Sequence, residues 1–449
     1  MAGHTDDGHT ELLGIQDRIV VESTLVSYDH CVVREFRPPP IRVSPVTTGE
    51  RIRLLREARG MTRPVLAGLV GRSTDWLKKI ETGSRQLNSL PLLVQIAQVL
   101  GVNDLAEITG DSDPAPVSAW DAEIHHVIPP IRTAMHEAAF PMATEEPAIS
   151  ALELRQDVRD LWVLWHTSPQ QRSDVGARLP RAIRQAHRTI RAVDGDDRRR
   201  AKAATGDLYR LVQRLLAHIC EPELHALAVE RGRAMSEDAD TPHSLALAAW
   251  SSSVSLCASG FYDDAARLAD IGVDYLVPAL RDGGATAQTW GTLGALQMEA
   301  AAAHGLAGRD GEAHHYLDAA HATAAQLPHG AWHEQSGFES TGVQILSVIV
   351  TSCLRRYGDA VSQAEKIGLT ASPSLVRSSR LLLEAADAQR HRTDYGASVQ
   401  TLTRAADVST EAVALIPWAR ELADDLAAHT TGRGGIDAAR LAGRLKSVR

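Results

Sequence analysis

From Thr47 onward, apolar residues recur at helical spacing in four short bursts, each opened by a capping residue and closed by glycine. Thr47 and Glu50 have capping-box spacing, Ile52, Leu55 and Ala58 form one stripe, and Gly60 stops a helix that ends near Arg59. A second helix is predicted from the Thr62 cap, with Leu66, Ala67 and Val70 inward and Gly71 closing it. The third starts at Ser73, buries Leu77 and Ile80, and ends at Gly83. A fourth, Ser89 to Leu100, carries Leu92, Leu93, Ile96 and Ala97, stops at Gly101, and is followed by apolar Val102 and Leu105.

The flanks read differently. Residues 1–46 hold a β-leaning patch, Ile19 to Val26, and the break Pro38-Pro39-Pro40, with no helical period. Two readings stand: a poorly ordered extension, or translation that starts at Val46, one residue before the first cap. Pro114 and Pro116 among small polar residues mark a linker at 111–121. Beyond it, over 122–449, the helices lengthen. Leu152–His166, Pro169–Val193 and Leu208–Ile219 are amphipathic, and Pro222 and Pro242 suit a first helical turn. Four tetrads then recur, beginning at Tyr262, Asp310, Tyr357 and Tyr395, each after an Ala/Leu-rich helix and each opening another. Their spacing exceeds the roughly 34 residues of a tetratricopeptide repeat, so longer helices or connections are expected. The fold class that follows is all-α: a helix-turn-helix domain at 47–110 and a helical solenoid after it.

Composition narrows the function. Aromatics are 4% of the chain, no apolar run approaches the roughly 18 residues of a membrane span, and the acidic start His4 to Asp7 lacks the basic region of a signal peptide, so a cytoplasmic protein is expected. Cys31, Cys220, Cys257 and Cys353 are far apart, which indicates neither a disulfide framework nor a zinc site. No phosphate loop, nucleophile elbow or His-Glu-x-x-His motif is present; His136-Glu137 and His333-Glu334 lack a second His, and His314-His315 diverge by about 100° on a helix. The expectation is a non-enzyme that needs no cofactor or metal.

The net charge of −9 is unevenly distributed. From Thr47 to Gly110 nine Arg and Lys stand against six Asp and Glu, a balance of +3 that leaves −12 for the rest. Such a basic segment can bind phosphate while the acidic body stays off the duplex. The third helix is short enough to enter a major groove about 12 Å wide. With Leu77 and Ile80 inward, Thr74, Asp75, Lys78 and Lys79 face outward. Either lysine can donate to guanine O6 and N7, Asp75 can accept from cytosine N4, and Thr74 offers a hydroxyl and a methyl. Thr62, Arg63, Ser73 and Arg85 are placed to grip phosphates and fix register.

The series Ile52-Arg-Leu-Leu-Arg-Glu-Ala-Arg-Gly60, Leu66-Ala67, Gly71, Ile80-Glu81-Thr-Gly83 and Ile96-Ala-Gln-Val-Leu-Gly-Val102 resembles the Cro/repressor-type (XRE family), lambda-repressor-like helix-turn-helix regulators. Members of that family usually carry Gln where Arg63 stands, and Trp76 is a bulky departure that packs against the first helix or a partner. The resemblance implies a partly buried ion pair between Arg56 and Glu81, structural in role.

The C-terminal half resembles the tetratricopeptide-like domains of ligand-responsive regulators, in which the first helix of each pair lines a concave groove. Counted back from the tetrads, that face would present Trp250, Val254 and Cys257, then Met298 and Ala302, then Ile345 and Ile349, then Arg380, Leu383, Asp387 and Arg390. An apolar row with a charged end suits an amphipathic peptide, or a small apolar molecule whose carboxylate meets Arg380 or Arg390; filling of the inter-helix core or a dimer interface is the competing role. The function expected is a homodimeric, sequence-specific, DNA-binding transcriptional regulator of double-stranded DNA, modulated by a peptide, small molecule or protein at the repeats. The alternative is a helical-repeat interaction scaffold with secondary or no DNA binding.

Overall fold

The structure, a computed structural model, describes residues 47–110 and 125–449, apart from 86, 88, 103, 139, 141–145, 218–220, 370, 371 and 449 and the side chains of 90, 91 and 222. The extension expected at 1–46 and the linker at 111–121 lie outside the described residues.

Five helices form the first domain: α1 (Thr48–Ala58), α2 (Arg63–Leu69), α3 (Thr74–Glu81), α4 (Leu90–Val99) and α5 (Ala106–Thr109). Thr47 Oγ1 accepts the Glu50 amide at 3.2 Å, while the Glu50 carboxylate turns to Arg53 at 3.8 Å, so the capping box is half formed. Gly71 holds the turn between α2 and α3 at φ 65°, in the left-handed region that a side chain disfavours. Ile52, Leu66, Leu77, Ile96, Leu100 and Ile108 are fully buried in one core. Each contributes about 1.5–3 kcal/mol on burial, and Ile108 shows that α5 closes the far side.

The second part begins with α6 (Ile128–Glu137), α7 (Ala151–Thr167), α8 (Gln171–Gly176), α9 (Leu179–Ala192), α10 (Gly195–Leu216) and α11 (Pro222–Ala239). It continues with α12 (Pro242–Ala258), α13 (Tyr262–Arg281), α14 (Ala287–Leu306), α15 (Asp310–Ala324), α16 (Ser340–Cys353) and α17 (Tyr357–Ala364). Last come α18 (Leu375–His391), α19 (Tyr395–Val408), α20 (Thr410–Ala414), α21 (Pro417–His429) and α22 (Gly432–Lys446). Neighbours pack as hairpins, α10 with α11, then α12–α13, α14–α15, α16–α17, α18–α19 and α21–α22. Among the described residues there is no strand, only a bridge between His333 and Phe338.

Two spans differ from the pattern's forecast. Pro169–Val193 is two helices, parted at Ala177 and Arg178, because Pro180 in the first turn of α9 has no amide to continue the ladder of α8. Helix α10 begins at Gly195, well before Leu208, on an exposed polar turn held by Asp196–Arg199 and by Asp197–Arg200 at 2.8 Å. Charge pairs carry that segment, and hydrophobic period cannot reveal it.

Each tetrad opens the second helix of a hairpin, and its fourth residue explains why it recurs. Ala265, Ala313, Ala360 and Ser398 are fully buried against the preceding helix, where only a small side chain fits. Ser398 adds a bond to the Ala386 carbonyl at 2.7 Å. Consecutive repeats are also tied by rings, since Tyr357 stacks on His391 and Tyr395 on His429, with centroids 4.1 and 5.3 Å apart. Both pairs are 34 residues apart, whereas the earlier ties, Arg309–Asp263, Arg356–Asp310 and Tyr316–Asp270, span 46. The longer early helices and the loop between α15 and α16 account for the difference. That loop tucks Phe338 onto Gly294, where an added Cβ would come within 2.0 Å of the ring.

Helices α7 and α8 sit inside the stack rather than before it. His166 Nδ1 and Ser374 Oγ are 2.7 Å apart, the Ser409 hydroxyl donates to the Pro169 carbonyl at 2.7 Å, and Glu411 accepts from the Arg172 amide at 2.7 Å and from the Ser173 hydroxyl at 2.6 Å. Chain segments more than two hundred residues apart thus enclose one space.

Candidate functional site

Helix α3 is the element expected to read bases. Ser73 caps it, its hydroxyl accepting the Trp76 amide at 3.1 Å, which leaves the O–H free to donate to a phosphate. Leu77 and Ile80 are buried, and Thr74, Asp75, Lys78 and Lys79 are exposed. Thr62, Arg63, Thr74, Asp75 and Lys78 line one open hollow of about 680 Å³, with Arg56 and Glu57 at its edge. Residues named for phosphate and for base contacts therefore share one surface. Lys79 pairs with Asp75 at 2.7 Å, and that hydrogen bond, ahead of the nearby charges of Arg355 and Lys78, holds Asp75 below the usual carboxylate range. No hydrogen bond or ion pair among the described residues takes the Lys78 ammonium. Arg85 is exposed after the helix.

Beneath the hollow, Glu81 accepts from Arg56 Nε at 2.6 Å and from its Nη2 at 3.1 Å, a two-pronged pair between α1 and α3. Both side chains are buried, and the Glu81 hydrogen bond raises Arg56 above its ordinary pKa. Arg63 joins them at 2.5 Å, so this guanidinium, expected on a phosphate, is turned to Glu81 here. Arg56 also donates to the Met61 carbonyl at 2.7 Å. Every charge in this cluster has its partner.

The domain's turn rests on the repeats. A Cβ on Gly68 would come within 2.5 Å of the Ala258 carbonyl, and one on Gly260 within 2.6 Å of that of Pro64, so two bare backbones touch. Pro417 approaches Gly71, and Arg72 pairs with Glu421 at the start of α21. Arg72 lies over the Trp76 ring at 5.5 Å, and burial, with the charge of Arg85, pushes its pKa down to about 10. Trp76 is half-buried against the domain's own core, with Arg72 on its face.

The space enclosed by α7, α8, α10, α16, α18 and α20 is a cavity of about 230 Å³. Of the inner row expected from the tetrads, Ile345, Ile349 and Arg380, with Leu383, reach it. Val254 is half-buried, Met298 on α14 packs in a core shared with α15 and α16, and Trp250 lies in the core with the Arg214 guanidinium 4.9 Å from its ring. Asp387 and Arg390 are outside the cavity and pair with each other at 2.9 Å. The residues the row omitted are Arg172, Arg214 and Arg377, which also line it, with His166 and Gln171. Their signal was present: Arg214 sits among Leu211, Val212, Leu215 and Leu216, an odd position for an unpaired charge. Burial pushes Arg172 and Arg377 down to about 10, and His166 down to about 3, so its ring is neutral. Among the described residues no group of three or more His, Cys, Asp or Glu could hold a metal ion.

A family model described as a helix-turn-helix domain matches residues 48–108, the segment that α1 to α5 occupy. No curated protein matches the chain. Among solved structures, the chain is similar to the crystal structure of Bacillus thuringiensis PlcR in complex with the peptide PapR7 and DNA, at 10% identity over 84% of this chain and 99% of that one. The TM-score is 0.28, too loose a superposition to carry any position from one chain to the other. Residues 48–108 are thus a helix-turn-helix domain by both sequence match and geometry, joined to a body of stacked helical hairpins.

Proposed function

We propose that the chain is a sequence-specific, DNA-binding transcriptional regulator of the XRE type, in which α3 enters the major groove and the repeats modulate operator affinity. One observation carries this reading: within a matched helix-turn-helix domain, the outward residues of α3 and the start of α2 share one open hollow over a satisfied structural ion pair. Thr74, Asp75 and Lys78 read base edges, with Lys79 joining when it leaves Asp75; Thr62, Arg63 and Arg85 supply phosphate contacts. Ser73 adds a phosphate contact through its hydroxyl proton while its oxygen caps the helix. The regulator acts in the cytoplasm, where its DNA is; among the described residues no helix is long and apolar enough to cross a membrane.

A homodimer on a two-fold operator is part of the proposal, because one helix-turn-helix on one half-site seldom reaches specific affinity at physiological salt. The contact of Gly68, Gly71 and Arg72 with the repeats is the route by which a bound molecule alters DNA affinity. Selection of duplexes from a random pool by the full chain tests the reading. Enrichment of paired half-sites about 10 base pairs apart, centre to centre, is the expected result. A pool that emerges unenriched, while the chain forms a stable complex with another protein, would instead make it an interaction scaffold.

A further inference from the structure

The cavity between α7–α8 and the later hairpins has an unusual electrical lining. Four arginines, Arg172, Arg214, Arg377 and Arg380, face it, and no Asp or Glu does. Three of the four have partners: Arg172 donates to the Leu215 and Ala217 carbonyls at 3.2 and 3.1 Å, Arg377 to the Ser336 carbonyl at 3.0 Å, and Arg380 pairs with Glu384 at 2.5 Å. Arg214 differs. Its guanidinium lies on the Trp250 face, and no hydrogen bond or ion pair among the described residues engages it. A half-buried guanidinium with no partner is open to an anion, because partial loss of water around a charge is itself costly.

Further donors in the lining are idle. Gln171 is fully buried and its Nε2 has no partner, nor has Arg380 Nε. Ile345, Ile349, Leu383 and Ile416 supply apolar lining. Glu299 is near enough to act on two of these arginines: burial raises its pKa, and the charges of Arg214 and Arg377 act against that rise. With that acid nearby, the site has room for one added negative charge better than for two. At about 230 Å³ the space is below the roughly 300–1,000 Å³ of ordinary ligand pockets, too small for a folded peptide chain.

We infer that this cavity is the receptor site of the regulator and binds a small monocarboxylic acid, its carboxylate on Arg214 and its hydrocarbon part against Ile345, Ile349 and Ile416. This rests on the regulatory reading above for its purpose, not for its chemistry. The planar guanidinium matches a carboxylate in a two-pronged bond, and Gln171 Nε2 supplies a further donor. The position also explains how occupancy reaches DNA. Ile416 lines the cavity, its neighbour Pro417 lies against Gly71, and Arg380 stacks over Trp418 at 5.3 Å, so an acid drawn onto the arginines bears on the start of α21, where the DNA-binding domain rests.

Calorimetric titration of the full chain, without DNA, tests the assignment with isocaproate, benzoate and phenylacetate as probes and isocaproamide and inorganic phosphate as comparators. At least one acid should bind, with the amide and phosphate weaker by about tenfold or more. Arg214→Met should lose that binding by a similar factor, Ile349→Phe should lose it by filling the space, and Arg390→Met, outside the cavity, should keep it. No uptake of any acid, equal uptake of the amide, tighter phosphate, or unchanged affinity in both folded cavity variants would overturn the inference. Because DNA is absent, the outcome is independent of operator selection. A chain that binds the acid yet enriches no duplex keeps the site and loses the regulatory reading, and the converse result does the reverse.

Discussion

The DNA-binding domain and the repeat cavity both draw arginine inward, Arg56 fully and Arg214 by half, with opposite results. Arg56 meets Glu81 through two bonds, and a second cation, Arg63, completes the carboxylate. Arg214 meets a Trp ring and the cavity, with Glu299 acting on it through charge but no hydrogen bond or ion pair among the described residues. The first arrangement locks α1 to α3 and leaves the outward face of α3 to do other work. The second leaves a donor unmatched in the protein, which is how a binding site for an anion differs from a structural pair. Burial of charge alone distinguishes neither; completeness of its partners does.

The sharpest break of this comparison is Glu81→Ala. It strands Arg56 in a buried position and should cost the helix-turn-helix domain about 3–5 kcal/mol in denaturant unfolding, with Glu81→Gln losing less. Unchanged unfolding would mean the pair is not what joins α1 to α3.

Acid should weaken the body through its buried histidines. Burial pushes His166 and His333 from 6.5 down to about 3. Below their ordinary value the unfolded chain takes protons that the folded chain refuses, so stability is full above that value and falls as pH drops towards 3. The slope is about 1.4 kcal/mol per pH unit for each histidine, and His333→Gln should remove one share of it. Stability that stays level from about pH 6.5 to 5 would contradict the assignment.

A smaller effect comes from Gly68→Ala. The new methyl favours helix α2 by about 1 kcal/mol but collides with the Ala258 carbonyl, so the domain should stay folded and leave the repeats. Hydrogen exchange should quicken around Gly260, and operator affinity should change by roughly fivefold or more as the contact between Gly68 and the repeats is lost. Equal exchange in both proteins would show that the contact holds nothing back.

Short-range signals carried much of this into the sequence. Caps at Ser73 and Thr47, the glycine stops and the buried small residue of each tetrad are local chemistry, and each sits where the pattern put it. What escaped was made by distant segments. Period alone placed Trp250 and Met298 on a groove face, whereas the insertion of α7 and α8 moves the open space towards Ile345, Ile349 and Arg380. Arg214 and Arg172 come from helices ahead of the first tetrad, so counting back from the tetrads could not reach them. The rest of Gly68 against Ala258 has no sequence signal beyond a glycine inside a helix.

The most direct test of the central claim is operator affinity of the full chain against salt, for the native protein, Lys78→Ala and Arg85→Ala on selected and scrambled duplexes. A DNA-reading α3 predicts a steep log–log fall, about −0.9 per phosphate contact, with Lys78→Ala narrowing the gap between duplexes and Arg85→Ala weakening both and flattening the slope by about 1. Affinity that ignores salt, or two variants that behave alike on both duplexes, would contradict it.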